Sequence, residues 1–321
     1  MDWKPKDQVL NWLLEDNQPS VRYQTLTGLL DYSEDRPDSK SSYNQIPTKG
    51  WAADILERQR PGGYWESEKS LYRPKYTATN WMALVLSDLG LTKDHPKIRK
   101  MCDLFFDRWL QEKSSDNIFH DEVCIVGNTA RMLTRFGYVD DSRVARLIDR
   151  LLEDQKSDGG WHCWNNEKKG ALDGWEALAA FAVLSKSRMT RKVQNSIERG
   201  AEFYLKRKLM NEGTSKYRPW FRFHYPIHYY YDITVGLDVL TKLGYSKDKR
   251  LEPALEILRK KRQADGTWLM EKIHPDPPSY AWGKHNLESK VKPFALEPEG
   301  RPSKWITLTA LRILNRVYFS N

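Results

Sequence analysis

Residues 155–161 read QKSDGGW and follow a stretch whose apolar residues repeat at helical spacing. Those apolar residues are Val144, Leu147, Ile148, Leu151 and Leu152. They form one buried stripe on an otherwise charged helix. The same phrase returns as QRPGGYW at residues 59–65 and as QADGTW at residues 263–268, each time between a charged helix and an apolar one. Gly can end the helix, Asp or Gln can bond free backbone groups, and Trp can bury its ring, so the three copies predict a repeated structural unit.

Two types of predicted helix alternate along the whole chain. Helices with one charged face are predicted near 5–15, 47–58, 95–111, 141–155, 190–208 and 250–261. Largely uncharged helices are predicted near 19–31, 77–89, 121–136, 171–185, 228–243 and 304–317. A helix that is apolar on most sides is buried on most sides, and alternation with a period of about 50 residues is typical of a repeat array. We therefore predict an all-α fold, an (α/α)6 toroid of six outer and six inner helices, as a single domain over residues 1–321.

The three phrases resemble the QW motif (Q-x-x-D-G-x-W) of squalene-hopene cyclases and the related repeats of protein prenyltransferase β subunits. The first copy departs from the motif, with Pro61 where Asp would stand. Segments 21–26, 231–233 and 300–305 are similar to those of uncharacterised single-toroid proteins with the same repeats. The resemblance to the terpene cyclase/prenyltransferase superfamily implies the toroid fold and an isoprenoid-like ligand. In that superfamily the QW motif ties repeats together and carries no chemistry.

The composition limits the classes of function. The chain has 321 residues, 13 of them Trp and 16 Tyr, with 52 Lys+Arg against 43 Asp+Glu. It lacks the apolar stretch of about 18 residues that a membrane-spanning helix needs, and its first residues lack the apolar run of a signal peptide. Cys102, Cys124 and Cys163 form no CxxC pair, so neither a disulfide framework nor a zinc ribbon is expected. We predict a cytoplasmic protein without a metal or other cofactor.

The catalytic motifs of the resembled families are absent from the sequence. No D-x-D-D phrase offers the acid of a class II cyclase, and no D-x-C pair offers the zinc ligands of a prenyltransferase. The acid candidates are therefore Asp121 and Asp232, each near the start of an inner helix. His120 or His228 would tune their acidity. Asp121 can equally serve as a helix cap.

The segment 217–232 has the most unusual composition, with eight aromatic side chains among 16 residues. It leads into an inner helix and is therefore expected at one mouth of the toroid. Its rings could line an apolar cavity and stabilise a cation, or they could wedge a long loop onto the core. The predicted substrate-binding residues are Trp175, Arg222, Tyr229, Tyr230, Lys304 and Trp305.

Long loops gather at the end of the toroid where the inner helices begin, and loops at one end of a scaffold often carry function. The starts of the inner helices present positive dipole ends there. Basic side chains such as Arg218 and Arg222 would add to this field. The sequence therefore predicts, at this end, a site for an anionic head group outside an aromatic interior.

The predicted function is the binding, with or without transformation, of a small apolar or amphipathic isoprenoid-like molecule in a central cavity. Two alternatives stay open: a non-catalytic binding or scaffold protein of the same fold, and a lyase that acts on an anionic glycan. No nucleic acid partner is expected, because basic and acidic residues are interleaved over most of the chain. A peripheral membrane contact and the oligomeric state stay open.

Overall fold

The computed structural model describes residues 4–164, 166–211, 217–274 and 295–319, and this part of the chain is all-helical. Its α-helices are α1 (Asp7–Leu13), α2 (Pro19–Gly28), α3 (Pro37–Gln45), α4 (Trp51–Glu57), α5 (Thr79–Asp88), α6 (Pro96–Leu104), α7 (Val123–Leu133), α8 (Ser142–Asp154), α9 (Glu176–Phe181), α10 (Arg191–Lys206), α11 (Ile233–Lys242), α12 (Glu252–Lys260) and α13 (Lys304–Tyr318). Helices α6 and α7 each continue as a wider π turn, over Phe105–Trp109 and Thr134–Tyr138. Isolated β-bridges are the only extended pairing among the described residues. None of the described helices is long and apolar enough to cross a membrane.

The helices form an inner and an outer set. Inner helix α5 buries every residue from Thr79 to Ser87, and inner helix α9 buries all of its residues. Outer helix α8 buries one stripe, made of Val144, Leu147, Ile148, Leu151 and Asp154. The inner set is α2, α5, α7, α9, α11 and α13, and the outer set is α1, α4, α6, α8, α10 and α12. The predicted alternation is confirmed, because a helix that is apolar on most sides is stable only in the interior.

Helix α3 lies outside this alternation. It occupies Pro37–Gln45, within a connection for which the sequence pattern predicts no helix, and it packs against α2. Its buried residues are the small polar Ser39 and Ser42. A helix without an apolar stripe leaves no periodic signal in the sequence.

The ring closes where the last helix pair meets the first. Helix α13 packs against both α1 and α2. Side chains at the N-terminal end bond backbone carbonyls of the turn that follows α12. Lys6 Nζ donates to the Ala264 carbonyl, and Gln8 Nε2 donates to the Asp265 carbonyl at 2.8 Å. The helix pairs therefore form a closed ring, and the predicted toroid is confirmed.

The three repeated turns share one geometry. In each turn the Trp donates its indole N–H to the carbonyl ten residues earlier, in the outer helix that precedes the turn. The pairs are Trp65 with Ile55 at 2.9 Å, Trp161 with Leu151 at 2.7 Å and Trp268 with Leu258 at 2.7 Å. Trp161 and Trp268 have no exposed surface, as the sequence predicts. Asp158 and Asp265 accept backbone N–H bonds of the turn, from Gly160 at 3.2 Å and from Thr267 at 2.9 Å.

The Gln of the first two turns links neighbouring repeats. Gln59 Nε2 donates to the Lys97 carbonyl at the start of α6, at 3.0 Å. Gln155 Nε2 donates to the Ser196 carbonyl of α10 at 2.9 Å. Each bond joins the end of one outer helix to the next outer helix. The turns therefore hold adjacent repeats in register around the ring.

Candidate functional site

A cavity of about 320 Å³ lies at the centre of the ring. Every inner helix contributes to its wall, and one lining residue from each helix is Gln24, Asp88, Arg131, Ala179, Asp238 and Thr309. Concave sites of this kind, with an apolar wall and a few polar groups, are the usual places for small ligands. This central cavity is therefore the candidate functional site.

One end of the central cavity is aromatic. It lies where α9, α11 and α13 begin, and its lining includes Trp175, Tyr225 and Trp305. The rings of Tyr225 and Trp305 are stacked, with centroids 4.6 Å apart. Ile227 and Ile306 add aliphatic surface. This end offers a ligand rigid apolar faces rather than hydrogen bonds.

The opposite end of the cavity is charged and lies where α5, α7 and α11 end. Asp88 forms an ion pair there with Arg135. Asp238 forms ion pairs with Lys242 at 2.5 Å and with Arg316 at 2.6 Å. Burial opposes ionisation of Asp238, but the cations around it hold the pKa of this carboxyl well below its ordinary value. Burial lowers the pKa of Lys242 to about 8, although the attraction of Asp238 works against this change.

Two guanidinium groups of the cavity wall form no ion pair with any described carboxylate. Arg131 is 7% exposed, its Cζ lies 5.1 Å from the centroid of the Trp175 ring, and its Nε has no hydrogen-bond partner within the described ranges. Arg312 donates from Nη1 to Gln24 Oε1 at 2.9 Å, and its Nε also lacks a partner there. A buried donor without an acceptor costs free energy. These two side chains therefore mark the part of the wall that is incomplete without an acceptor.

A buried His–Asp pair lies at the aromatic end. His224 Nδ1 is 3.1 Å from Asp232 Oδ2, and neither side chain has exposed surface. Asp232 also caps α11, because its Oδ1 accepts the backbone N–H groups of Thr234 at 2.8 Å and Val235 at 3.2 Å. His224 lines the cavity, and its Nε2 has no hydrogen-bond partner in the part of the chain that is described. His224 Nδ1 also lies 3.2 Å from the Arg222 carbonyl oxygen, and Asp232 Oδ2 forms no hydrogen bond with any described residue. The pair is therefore a close contact of an imidazole and a carboxylate beside the cavity.

The structure brings one of the four predicted catalytic residues, Asp232, next to the cavity wall. Asp121 lines a separate pocket, and His120 beside it is exposed. His228 packs against the rings of Tyr76 and Trp81, with centroids 5.4 and 5.2 Å away. Burial lowers the pKa of His228 well below its ordinary value, so its ring is neutral at pH 7. The partner of Asp232 is therefore His224 and not His228, and the catalytic roles stay predictions.

Four of the six predicted substrate-binding residues are aromatic, and two of these four line the cavity. Trp175 and Trp305 are in its wall. Tyr229 and Tyr230 stack on each other with centroids 4.5 Å apart, and the hydroxyl of Tyr229 lies 3.1 Å from that of Tyr76. They belong to the ring cluster around His228. The rings of segment 217–232 therefore pack its loop onto the core, and one of them, Tyr225, also lines the cavity. Stabilisation of a cation by these rings stays a prediction.

The basic end of the cavity is opposite to the end at which the sequence places it. Arg218 and Arg222, expected at the mouth, are exposed and are not in the cavity wall. Lys304 is buried, and its Nζ donates to the Trp12 carbonyl and to Glu15 Oε2, each at 2.7 Å. The loop turns its rings inward and its charges outward, because burying an unpaired charge is costly. The expectation of a basic mouth at the inner-helix starts is therefore wrong.

Glu176 is a buried acid that sequence reasoning missed. It has no exposed surface, and neither carboxyl oxygen has a hydrogen-bond partner among the described residues. Burial raises the pKa of Glu176 well above its ordinary value, which favours the protonated carboxyl. It packs against Gly127 of α7, where an added Cβ would lie 2.7 Å from Glu176 Cβ. The sequence does contain a signal for this group, because Glu176 is the only charged residue of the otherwise apolar helix α9.

The cysteines are free thiols, with Cys102 and Cys124 buried and Cys163 half-buried. Burial raises the pKa of the Cys102 thiol well above its ordinary value. Over the described ranges, no three His, Cys, Asp or Glu side chains are grouped so that they could hold a metal ion.

Among solved structures, the chain is similar to the type II terpene cyclase MstE from Scytonema. The apo structure of MstE matches at 16% identity over 94% of this chain and 86% of that chain, with a TM-score of 0.45. A variant of MstE with geranylgeranyl dihydroxybenzoate, its substrate, gives the same coverage, identity of 16% and TM-score of 0.45. A variant with merosterolic acid A, its product, matches at 14% identity over 96% and 98% of the two chains, with a TM-score of 0.44. No family model and no curated protein matches the chain. The toroid assignment rests on the ring of helices and its central cavity, and MstE is a terpene cyclase that this chain resembles.

Proposed function

We propose that the protein binds a small amphipathic molecule, isoprenoid-like in its apolar part, in the central cavity. The observation that carries this proposal is a cavity with two unlike ends, one aromatic and one charged. Its volume of about 320 Å³ lies within the range of about 300–1,000 Å³ that is usual for small-ligand pockets. The resemblance of the repeated turns to the QW motif supports the isoprenoid class.

The cavity argues against the two alternative functions. A pure scaffold would gain stability from a filled centre, since close packing is the rule in protein interiors. A glycan polymer would need an open cleft, whereas Trp175, His224 and Tyr225 at the aromatic end of this cavity are all buried. A short apolar chain fits a closed aromatic end better than a hydrated sugar does, because it loses no hydrogen bonds with water there.

We propose the His224–Asp232 pair as the group that would transfer a proton to or from the ligand. Asp232 stays a candidate acid, but its Oδ1 caps α11 and its Oδ2 lies 3.1 Å from His224 Nδ1. A proton would therefore pass through His224 Nε2, which belongs to a residue of the cavity wall. If the pair transfers a proton, the wild type should convert geranylgeranyl phosphate into a product. His224→Gln should lose this activity, and His120→Gln should keep it. Equal turnover in wild type and His224→Gln would contradict this role.

Filling the cavity tests the binding proposal directly. Ala179 lines the cavity and is 3% exposed, so Ala179→Phe should occupy the ligand's place. Isothermal titration with geranylgeranyl phosphate should show binding to the wild type and none to Ala179→Phe. Ala53→Phe on outer helix α4 is the matched control and should bind like the wild type. Unchanged binding in Ala179→Phe would place the ligand elsewhere, and native mass spectrometry of protein from its own host would reveal any ligand retained during purification.

A further inference from the structure

The charged end of the central cavity carries more positive than negative groups. Its cationic lining residues are Arg131, Arg135, Lys242 and Arg312, and its carboxylates are Asp88 and Asp238. Asp88 forms an ion pair with Arg135. Asp238 is shared between Lys242 and Arg316. The two remaining guanidinium groups, Arg131 and Arg312, thus have no compensating carboxylate within ion-pair distance in the described chain.

Arg131 is the more deeply buried of these two groups. It is 7% exposed and lies in α7, with its Nε free of any described acceptor. Asp88 and Glu176 both act on the pKa of Arg131 by charge, but neither forms an ion pair with it. Burial raises the pKa of Glu176 well above its ordinary value, which weakens its ability to balance the guanidinium charge. Arginine does not lose its proton in proteins, so a positive charge stays buried in the cavity wall.

Arg312 forms a hydrogen bond to a neutral side chain and no ion pair with a described carboxylate. Its Nη1 donates to Gln24 Oε1 at 2.9 Å, which is a neutral acceptor. The side chain lies over Gly28, where an added Cβ would be 3.1 Å from Arg312 Nε. A glycine at this point of α2 gives the guanidinium room against the helix. Asp238 and Arg316 are near enough to act on the pKa of Arg312 by charge, but Arg312 itself forms no ion pair with a described carboxylate.

The partial negative charge at the carboxyl ends of the inner helices does not by itself explain why Arg131 and Arg312 are both in the cavity wall. The carboxyl end of a helix carries about half a negative charge and favours a nearby cation. That attraction is felt within the last turn, where Arg131 of α7 lies, whereas Arg312 lies near the middle of α13. The Nε groups of both side chains have no hydrogen-bond partner among the described residues. A negatively charged group in the cavity would balance the charge of both side chains.

We propose that the charged end of the central cavity, whose wall includes Arg131 and Arg312, is a site for an anionic oxygen group, a phosphate or carboxylate. This inference rests on the proposed function, because it assigns the anionic group to the head of the amphipathic ligand. Planar guanidinium groups suit such oxygen groups through paired N–H donors. The apolar part of the ligand would then point towards Ile227 and Trp305.

The test compares ligands that differ in the head group alone. Geranylgeranyl phosphate should bind about ten- to a hundredfold more tightly than geranylgeraniol, since hydrogen bonds to charged groups are stronger than neutral ones. Raising the salt concentration should weaken the binding of the phosphate and leave that of the alcohol unchanged. Arg131→Gln and Arg312→Gln should each abolish the preference for the phosphate. Lys192→Gln, which removes an exposed charge from outer helix α10, should keep it.

Melting temperatures of Arg131 variants distinguish a ligand-binding role of this side chain from a structural role. Arg131→Gln removes an unpaired buried charge, so its melting temperature without ligand should equal or exceed that of the wild type. Arg131→Lys, which keeps the charge but loses the planar fork, should retain part of the preference. A large fall in the melting temperature of Arg131→Gln would contradict the proposed site, because it would show that Arg131 holds the fold together.

The outcomes distinguish this inference from the proposed function. Equal, salt-independent binding of phosphate and alcohol would overturn the anionic site and leave the proposed function intact. Binding of inorganic phosphate alone, lost in Arg131→Gln and without binding of either prenyl compound, would support the anionic site and overturn the isoprenoid ligand. Binding of none of the three compounds to the wild type would overturn both.

Discussion

Trp268 is a core residue that also donates a hydrogen bond to a carbonyl in the last turn of α12. Its ring has no exposed surface, and its indole N–H bonds the Leu258 carbonyl at 2.7 Å. Trp268→Ala should therefore lower the free energy of unfolding by about 3–5 kcal/mol, measured by urea denaturation. Trp164 is 67% exposed, so Trp164→Ala should change it by less than about 0.5 kcal/mol. Similar losses in the two variants would show that burial of the repeated Trp does not stabilise the ring.

Glu176 should make the stability of the protein depend on pH. Burial raises the pKa of its carboxyl in the folded state well above the ordinary value of 4.5. The folded state then holds a proton that the unfolded state releases, so the stability due to this group is full below pH 4.5 and falls as pH rises towards the folded pKa. Glu176→Gln should remove that fall.

Unfolding free energies of wild type and Glu176→Gln, measured as a function of pH, check this expectation. The variant should gain stability relative to the wild type as pH rises above 4.5. The exposed Glu167 supplies the control, since Glu167→Gln should follow the wild-type curve. Parallel curves for wild type and Glu176→Gln would mean that Glu176 is ionised in the folded protein.

At the scale of elements, helices α7 and α9 approach each other through a glycine. A Cβ at Gly127 would lie 2.7 Å from Glu176 Cβ and 2.8 Å from the Glu176 backbone carbon. Gly127→Ala should therefore force the helices apart and cost about 1–3 kcal/mol. At Gly28 an added Cβ would meet the movable end of Arg312 at 3.1 Å, so Gly28→Ala should cost much less. A thermal scan of both variants tests the difference, and equal melting temperatures would rule out the close α7–α9 contact.

The sequence predicts elements well where burial leaves a periodic pattern. The stripe of α8 and the apolar run of α5 are read correctly, because the fold buries what the pattern marks as apolar. Helix α3 is missed because its buried residues, Ser39 and Ser42, are small and polar. In the repeated turns, the burial of Trp161 and Trp268 and the backbone bonds of Asp158 and Asp265 are predicted, since these residues act on neighbours in the chain. The bonds of Gln59 and Gln155 to the next outer helix are not predicted, because their partners lie 38 and 41 residues away.

The candidate site is less predictable, because it depends on how distant elements face each other. The sequence offers His224 and His228 within five residues of one loop, and it contains no rule that brings His224 to Asp232. Arg131 is a single charge in an inner helix that otherwise looks uncharged. Its place in the cavity wall follows from the rotation of α7 in the ring, which no local pattern encodes.

For the whole molecule, Lys304 links the two ends of the ring. Its side chain is 7% exposed, and Nζ donates to the Trp12 carbonyl and Glu15 Oε2. Lys304→Met should cost about 1–3 kcal/mol of unfolding free energy, because buried acceptors lose a charged donor. The ion pair of Lys40 with Asp35 is exposed on both sides, so Lys40→Met should cost less than about 0.5 kcal/mol.

Hydrogen exchange locates the effect of Lys304→Met. The amides of α1 should exchange faster in this variant than in the wild type, whereas those of α7, on another part of the ring, should be unaffected. Unchanged exchange in α1 would show that packing of α13, and not this side chain, closes the ring.

The buried aromatic end makes the cavity sensitive to the length of its ligand. Trp175, His224 and Tyr225 are buried in the cavity wall, so an apolar tail placed against them meets fixed surfaces. If its anionic group stops at Arg131 and Arg312, the tail has a fixed depth available to it. A shorter tail would leave aromatic surface uncovered, and a longer tail would keep the head from reaching the two guanidinium groups. Selectivity for chain length would then follow from the depth of the ring alone.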